Sequence, residues 1–251
     1  MNKVQYLERL GYSGGLEPNL ETLKELQKTH LLNVPFENLD IHYQVPIILD
    51  IPSIFDKIVV HYRGGFCYEL NGLFFELLTA LGFNAKRISA RVYDKENGFG
   101  QEFDHFAIIV NIKGKEYLSD VGFGEFSFEP LKLEIGVIQN DSRGSYIIDK
   151  YDDAYLSVSH IINEEKTPEY IFKKTEREFI EYKEMCAYHQ TSPKSHFTQK
   201  RLITLPTNNG RVTISGAVLK IKEHDSVTEK LLKDKIEFNN ELWNYFKIKL
   251  K

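Results

Sequence analysis

Residues 63–72 read Arg63-Gly64-Gly65-Phe66-Cys67-Tyr68-Glu69-Leu70-Asn71-Gly72 and set a cysteine where two glycines give way to an apolar helix. Leu70, Leu73, Phe74, Leu77 and Leu81 recur at helical spacing up to Gly82, so Cys67 falls in the first turn. The free N–H groups and the dipole of a helix start favour a negative sulfur, and Arg63 brings a positive charge close in sequence; together they predict a thiol of lowered pKa. Taken alone, the cysteine is better explained as a small buried hydrophobe. Chemistry needs partners: an imidazole as base and a third group to orient it, both ordinarily distant in the chain.

Both can be found on a hairpin. His105-Phe-Ala-Ile-Ile-Val-Asn-Ile112 has the composition of a strand, as has Glu116-Tyr-Leu-Ser-Asp-Val121, with Lys113-Gly114 between them. A two-residue turn there pairs Ile112 with Lys115, so paired numbers sum to 227 and Ala107 faces Asp120. His105 lies two residues from Ala107 and shares its face, which makes Asp120 its diagonal neighbour, roughly 7–8 Å away between backbones. Two side chains leaning together close such a gap. A slip of one residue would send them to opposite faces.

The elements that must position these groups fall into three stretches. The first is helical: Val4, Leu7 and Leu10; then Leu20, Leu23 and Leu26 behind Pro18 and Asn19; a third helix after Ser53; and the cysteine helix. From about 84 to 175 the pattern alternates, in 87–93, the 105–121 hairpin, 145–148, 155–158 and 170–172, which predicts a barrel or a sandwich. A helix at 176–187, strands near 200–205 and 211–222, and helices at 226–235 and 239–246 make a mixed C-terminal unit. The polar run 94–100 is a loop just before the histidine strand, well placed to border a site.

Composition sets bounds. The 251 residues, 42% hydrophobic and 27% charged, suit a globular protein with a substantial core. With 32 Lys and Arg against 36 acidic residues there is no basic field to attract nucleic acid. The first residues lack a signal-peptide core, and no stretch approaches the ~20 apolar residues of a membrane span, so a cytoplasmic protein is expected. Cys186 is assigned to packing, since a reducing compartment and a nucleophile's need for a free thiol argue against a Cys67–Cys186 disulfide. Eight histidines and two cysteines show no zinc spacing, and no metal is expected. Gly122-Phe123-Gly124 has Ser127 where a dinucleotide fingerprint needs its third glycine, and no Walker lysine motif is present.

With these residues in view, the chain resembles the arylamine N-acetyltransferase family. The segments that carry the resemblance are Tyr6-Leu-Glu-Arg-Leu-Gly11, His30-Leu-Leu-Asn-Val-Pro-Phe-Glu-Asn-Leu-Asp40, Arg63 to Asn71, Asp120-Val-Gly-Phe-Gly124 and Thr191-Ser-Pro-Lys-Ser-His-Phe197, in that order. The resemblance implies an α+β fold of three regions with a cysteine-protease-like catalytic core: a helical bundle over 1–83, a central antiparallel β-barrel over 84–187 and an α/β lid over 188–251. It implies Cys67, His105 and Asp120 as a catalytic triad, acetyl-CoA as co-substrate without a metal, a small aromatic amine or hydrazine as acceptor, no nucleic-acid or membrane partner, and a role in xenobiotic metabolism.

Further roles follow from the same resemblance. Gly124, Tyr188, Lys194 and His196 are expected at the coenzyme; Gly122 and Gly124 would let the pantetheine arm pass close to the backbone or form a turn leaving the hairpin. Lys194 and His196 depart from relatives that carry hydroxyl residues there, and a lysine gives phosphate a charged contact. Phe36, Val92, Phe123 and Ser127 are expected at the acceptor, with Arg9 and Glu37 as an ion pair beneath the site. Glu125 stands where some relatives carry a basic residue, which argues against acidic acceptors. The rival readings are an amide synthase of the same family, a thiol hydrolase with the same triad, and a CoA-binding module without catalysis.

Overall fold

The computed structural model describes residues 1–250. Helix α1 (Lys3–Leu10) is capped by Asn2, and α2 (Leu20–Asn33) by Asn19, whose side chain accepts the Thr22 N–H at 3.0 Å. Short elements β1 (Phe36–Glu37), α3 (Leu39–His42) and α4 (Ile51–Phe55) follow, and α4 runs into a π-helical turn, Asp56–Val60. The third helix thus begins before Ser53, because Asp50 is the cap and Ser53 supplies the N–H that it accepts. Helix α5 (Cys67–Ala80) starts at the cysteine and buries Leu70, Leu73, Phe74 and Leu77 completely against Tyr6, Leu10, Leu23 and Leu26. Each fully buried side chain of that size is worth about 2–3 kcal/mol of apolar transfer, which explains the run of Leu and Phe.

The alternating region forms β2 (Asn84–Asp94), β3 (Gly98–Phe99), β4 (His105–Ile112), β5 (Lys115–Ser119), β6 (Leu131–Lys132), β7 (Ile138–Asp141), β8 (Gly144–Lys150), β9 (Leu156–Ile162) and β10 (Glu165–Phe172). The main path of this antiparallel sheet is β6-β5-β4-β2-β10-β9-β8-β7, with β3 paired to β2. Its two ends meet through a side chain: the Gln139 carboxamide accepts the Lys132 N–H at 2.7 Å and donates to the Lys132 carbonyl at 2.8 Å, standing in for a strand pair and nearly closing the barrel. Strand β4 serves two cores. Phe106, Ile108 and Val110 pack with the helices, whereas Ala107 and Ile109 point into the barrel, so the strand is apolar throughout rather than alternating.

The last region holds a 3₁₀ turn (Phe179–Tyr182), α6 (Lys183–Thr191), α7 (His196–Gln199), β11 (Leu202–Thr207), β12 (Gly210–Ser215), β13 (Val218–Glu223), β14 (Ser226–Leu231) and α8 (Lys235–Phe246). Here the sequence expectations need correction. The strand expected over 211–222 is two strands turned at Gly216, and the helix expected over 226–235 is the edge strand β14, whose β-branched Val227 and Thr228 pair with Lys222 and Ile221. The final helix begins four residues early, because Asp234 accepts the Glu237 N–H at 2.8 Å. The helix expected from 176 becomes regular only at Lys183. This sheet has the order β1-β11-β12-β13-β14, so Phe36 and Glu37 tie the lid to the helical region. Among the described residues no helix is long and apolar enough to cross a membrane.

Candidate active site

Cys67 opens α5 and is buried; Glu69 reaches back from the third position to accept the Phe66 N–H at 3.1 Å. Burial pushes the Cys67 thiol up and the carboxylates of Asp104 and Asp120 push it further, while the Phe106 backbone acts the other way. Arg63 does not offset them. Its guanidinium is taken by Glu37 (Nε–Oε1 2.8 Å) and Asp40 (2.8 Å), so the positive charge expected beside the sulfur is spent elsewhere. No cation of the helical region therefore offsets the burial of the sulfur, and an imidazole is the group that could take its proton.

The hairpin has the expected register. Lys113 (φ 51°) and Gly114 (φ 81°) make a two-residue turn with both φ positive, and Ile112 pairs with Lys115, Ile109 with Leu118 and Ile108 with Ser119. Continued one step, Ala107 stands opposite Asp120, and the diagonal contact closes: His105 Nε2 lies 2.6 Å from Asp120 Oδ2. Nδ1 is thereby left as the ring atom available to take a proton. Oδ1 of Asp120 accepts from Asn71 Nδ2 (2.8 Å) and the N–H groups of Gly122 (2.9 Å) and Phe123 (3.1 Å), and Oδ2 also accepts the Tyr170 hydroxyl (3.0 Å). Burial opposes this carboxylate's charge, but His105 and these donors outweigh it and hold the pKa below the ordinary range.

Cys67 and His105 open onto one cavity of about 470 Å³. Phe36, Val92 and Phe123 line it, as do Gly124, Tyr188, Lys194 and His196, and the segment 94–100, expected as a loop, forms part of its rim as a hairpin in which β3 pairs with the end of β2. Ser127 is elsewhere: fully buried, its hydroxyl lies 2.7 Å from both the Glu129 carbonyl and Asp141 Oδ2, so it cannot contact an acceptor in this cavity. Glu125 faces a separate polar depression with Arg143 and Arg211 and lies 3.4 Å from Arg143. Arg9 and Glu37 do not pair. Arg9 donates to the carbonyls of Ile58, Asn33 and Arg63, and Glu37 takes Arg63 instead.

The two glycines after Asp120 differ in purpose. A Cβ on Gly122 would sit 2.8 Å from Cys67 Cα and 2.7 Å from Asn71 Nδ2, so that glycine lets the Asp120 loop close on α5; Gly124 has nothing within 4 Å of a Cβ. Cys186 is a free, buried thiol accepting from Gln190 at 3.3 Å, and burial pushes it up to about 12. Sequence reasoning missed the functional role of Asn71 and of Tyr170. Asn71 carried a signal, being a polar residue four positions after Cys67 and so on the same face of the helix. Among the described residues no cluster of three or more His, Cys, Asp or Glu is placed to hold a metal.

A family model described as N-acetyltransferase matches residues 19–251. The arylamine N-acetyltransferase of the chicken (Gallus gallus) pineal gland, isozyme NAT-10, is 32% identical, covering 96% of this chain and 95% of its own. The structure of the Mycobacterium marinum arylamine N-acetyltransferase superposes with a TM-score of 0.91 at 30% identity, over 98% of this chain and 93% of that one. The same M. marinum enzyme in complex with CoA gives 0.90 at 29% identity, with the same coverage.

Proposed function

The chain belongs to the arylamine N-acetyltransferase family, and from that premise we propose that it transfers acetyl groups from acetyl-CoA to arylamines, arylhydroxylamines or hydrazines through an acetylated Cys67. The observation that carries the proposal is the His105–Asp120 pair at 2.6 Å opening with Cys67 onto one cavity. A relative of the same fold takes CoA, which supports a CoA thioester as the donor.

In the first half-reaction His105, oriented by Asp120, takes the thiol proton, and the Cys67 sulfur attacks the thioester carbonyl. The S–C bond to the enzyme forms as the bond to CoA breaks, and CoA leaves with the proton. Backbone N–H groups at the start of α5 would steady the tetrahedral oxyanion, a contribution of ~3–4 kcal/mol. In the second half-reaction the amine enters the vacated cavity and its nitrogen attacks the acetyl carbonyl; the N–C bond forms, the S–C bond to Cys67 breaks, and His105 passes the amine proton to the departing sulfur. Ping-pong kinetics follow. Phe36, Val92 and Phe123 would receive the acceptor; Gly124, Tyr188, Lys194 and His196 would follow the coenzyme. Segments 1–83, 84–187 and 188–251 would supply nucleophile, base and coenzyme wall in a cytoplasmic enzyme.

Intact-protein mass spectrometry after mixing with acetyl-CoA and no acceptor tests this directly. One acetyl group on wild type, none on Cys67→Ala, and its removal by an arylamine are expected. No adduct despite CoA binding would overturn the acetyl-cysteine route in favour of a non-catalytic module, and no CoA binding would favour a hydrolase.

A further inference from the structure

The wall of the cavity carries a second histidine–carboxylate pair. His189, on α6, is buried, and its Nε2 lies 3.1 Å from Oδ1 of Asp104, the residue immediately before His105. The nitrogen makes no aligned hydrogen bond, although the two atoms are within ion-pair distance. Nδ1 on the other side of the ring is 3.1 Å from Ser195 Oγ, and both nitrogens thus face oxygen atoms. The rings of Tyr68, Tyr188 and Phe197 enclose the imidazole. Cys67, Asp104, His105, His189 and Ser195 all line the same cavity.

Asp104 sits where a negative charge is unhelpful to a thiolate. Its Oδ2 accepts the Val92 N–H at 3.3 Å, and its carbonyl is 3.4 Å from the hydroxyl of Tyr68, next to Cys67, so the carboxylate is held in place. The titratable groups around the Cys67 sulfur are Asp104, Asp120, Cys186, Tyr68, Tyr182 and His105. Asp120 is matched by His105 at 2.6 Å, and the imidazole that Asp104 meets is that of His189 at 3.1 Å.

We propose that His189 is a positioning residue for the nucleophile: it holds and neutralises the Asp104 carboxylate, which otherwise opposes the negative sulfur that Cys67 has to become. Ser195 keeps the ring in place from the other side. This role rests on Cys67 being the nucleophile, as proposed above, but not on which donor or acceptor is used.

The test is the pH profile of Cys67 alkylation by iodoacetamide in the full chain, read by peptide mass spectrometry to separate Cys67 from Cys186. No acyl donor is needed. H189Q is expected to move the midpoint up by about one pH unit, roughly a tenfold slower alkylation at a fixed pH below it. D104N is expected to move it down, and the double variant to return close to wild type. An unchanged midpoint in H189Q, or a shift of both single variants in the same direction, would overturn the proposal. Should H189Q fail to fold, D104N alone decides, since an unchanged or raised midpoint is equally fatal. A wild-type Cys67 without a midpoint between pH 5 and 10 would overturn this role and the acetyl-cysteine route together.

Discussion

Asn71 of α5 donates its carboxamide to Asp120 Oδ1 at 2.8 Å, and so ties the residue that holds the His105 imidazole to the element that carries the Cys67 thiol. The same side chain donates to the Phe106 carbonyl at 2.5 Å and accepts the Val121 N–H at 2.9 Å. One residue thus spans α5, β4 and the end of the hairpin. Asn71→Ala orphans a buried carbonyl and a buried N–H; a loss of about 2–4 kcal/mol in urea unfolding is expected. Acetylation of Cys67 should slow by about 10²-fold, because His105 and Asp120 are no longer registered to the sulfur. Stopped-flow release of CoA would measure it, and a wild-type rate would refute the tie.

Gly122 and Gly124 should separate cleanly. In Gly122→Ala the new methyl meets backbone at 2.8 Å, so α5 and the Asp120 loop are pushed apart; kcat should fall and stability drop by about 1–3 kcal/mol. In Gly124→Ala the methyl enters open space. Its Tm should not move, while KM for acetyl-CoA rises if the donor passes that backbone. An equal response of both variants would contradict the assignment.

His30 gives a pH signature to folding. It is fully buried with Nε2 2.9 Å from the Tyr6 hydroxyl, and burial, aided by the charge of Arg9, pulls its pKa down to about 3. The unfolded chain binds this proton near pH 6.5, so the stability is complete above that pH and is lost as the pH falls toward 3. Urea unfolding should lose about 2 kcal/mol from this group between pH 7.5 and 5.0. His30→Gln should flatten that slope.

Glu37 is fully buried with Arg63 as its ion-pair partner at 2.7 Å. Arg63→Ala strands the carboxylate and should destabilise by about 3–5 kcal/mol, while Arg63→Met combined with Glu37→Gln should recover part of that loss. Denaturant midpoints with unchanged m values would check it.

Glu125 lies outside the cavity that Cys67 and His105 share. Glu125→Gln is therefore expected to leave the ratio of aniline to aminobenzoate turnover unchanged. A ratio moved toward the acidic acceptor would return the residue to the site.

What the sequence determined by itself is the chemistry that local rules govern. The start of α5 follows from the spacing of Leu70 to Leu81, and the His105–Asp120 contact follows from a two-residue turn at Lys113-Gly114, since a tight turn sets register and register sets faces. Both act over a few residues and leave a periodic trace. The tertiary structure alone decided the rest. Arg63 turns to Glu37 and Asp40 rather than to the thiol, Tyr170 reaches Asp120 from 50 residues away, Gln139 joins the two ends of the barrel sheet, and His189 meets Asp104 across the cavity. Ser226–Leu231 becomes an edge strand because β13 is there to pair with it. Contacts between side chains remote in sequence have no period and no propensity; they are chosen by which buried polar groups would otherwise stay unpaired once the helices, the barrel and the lid pack together.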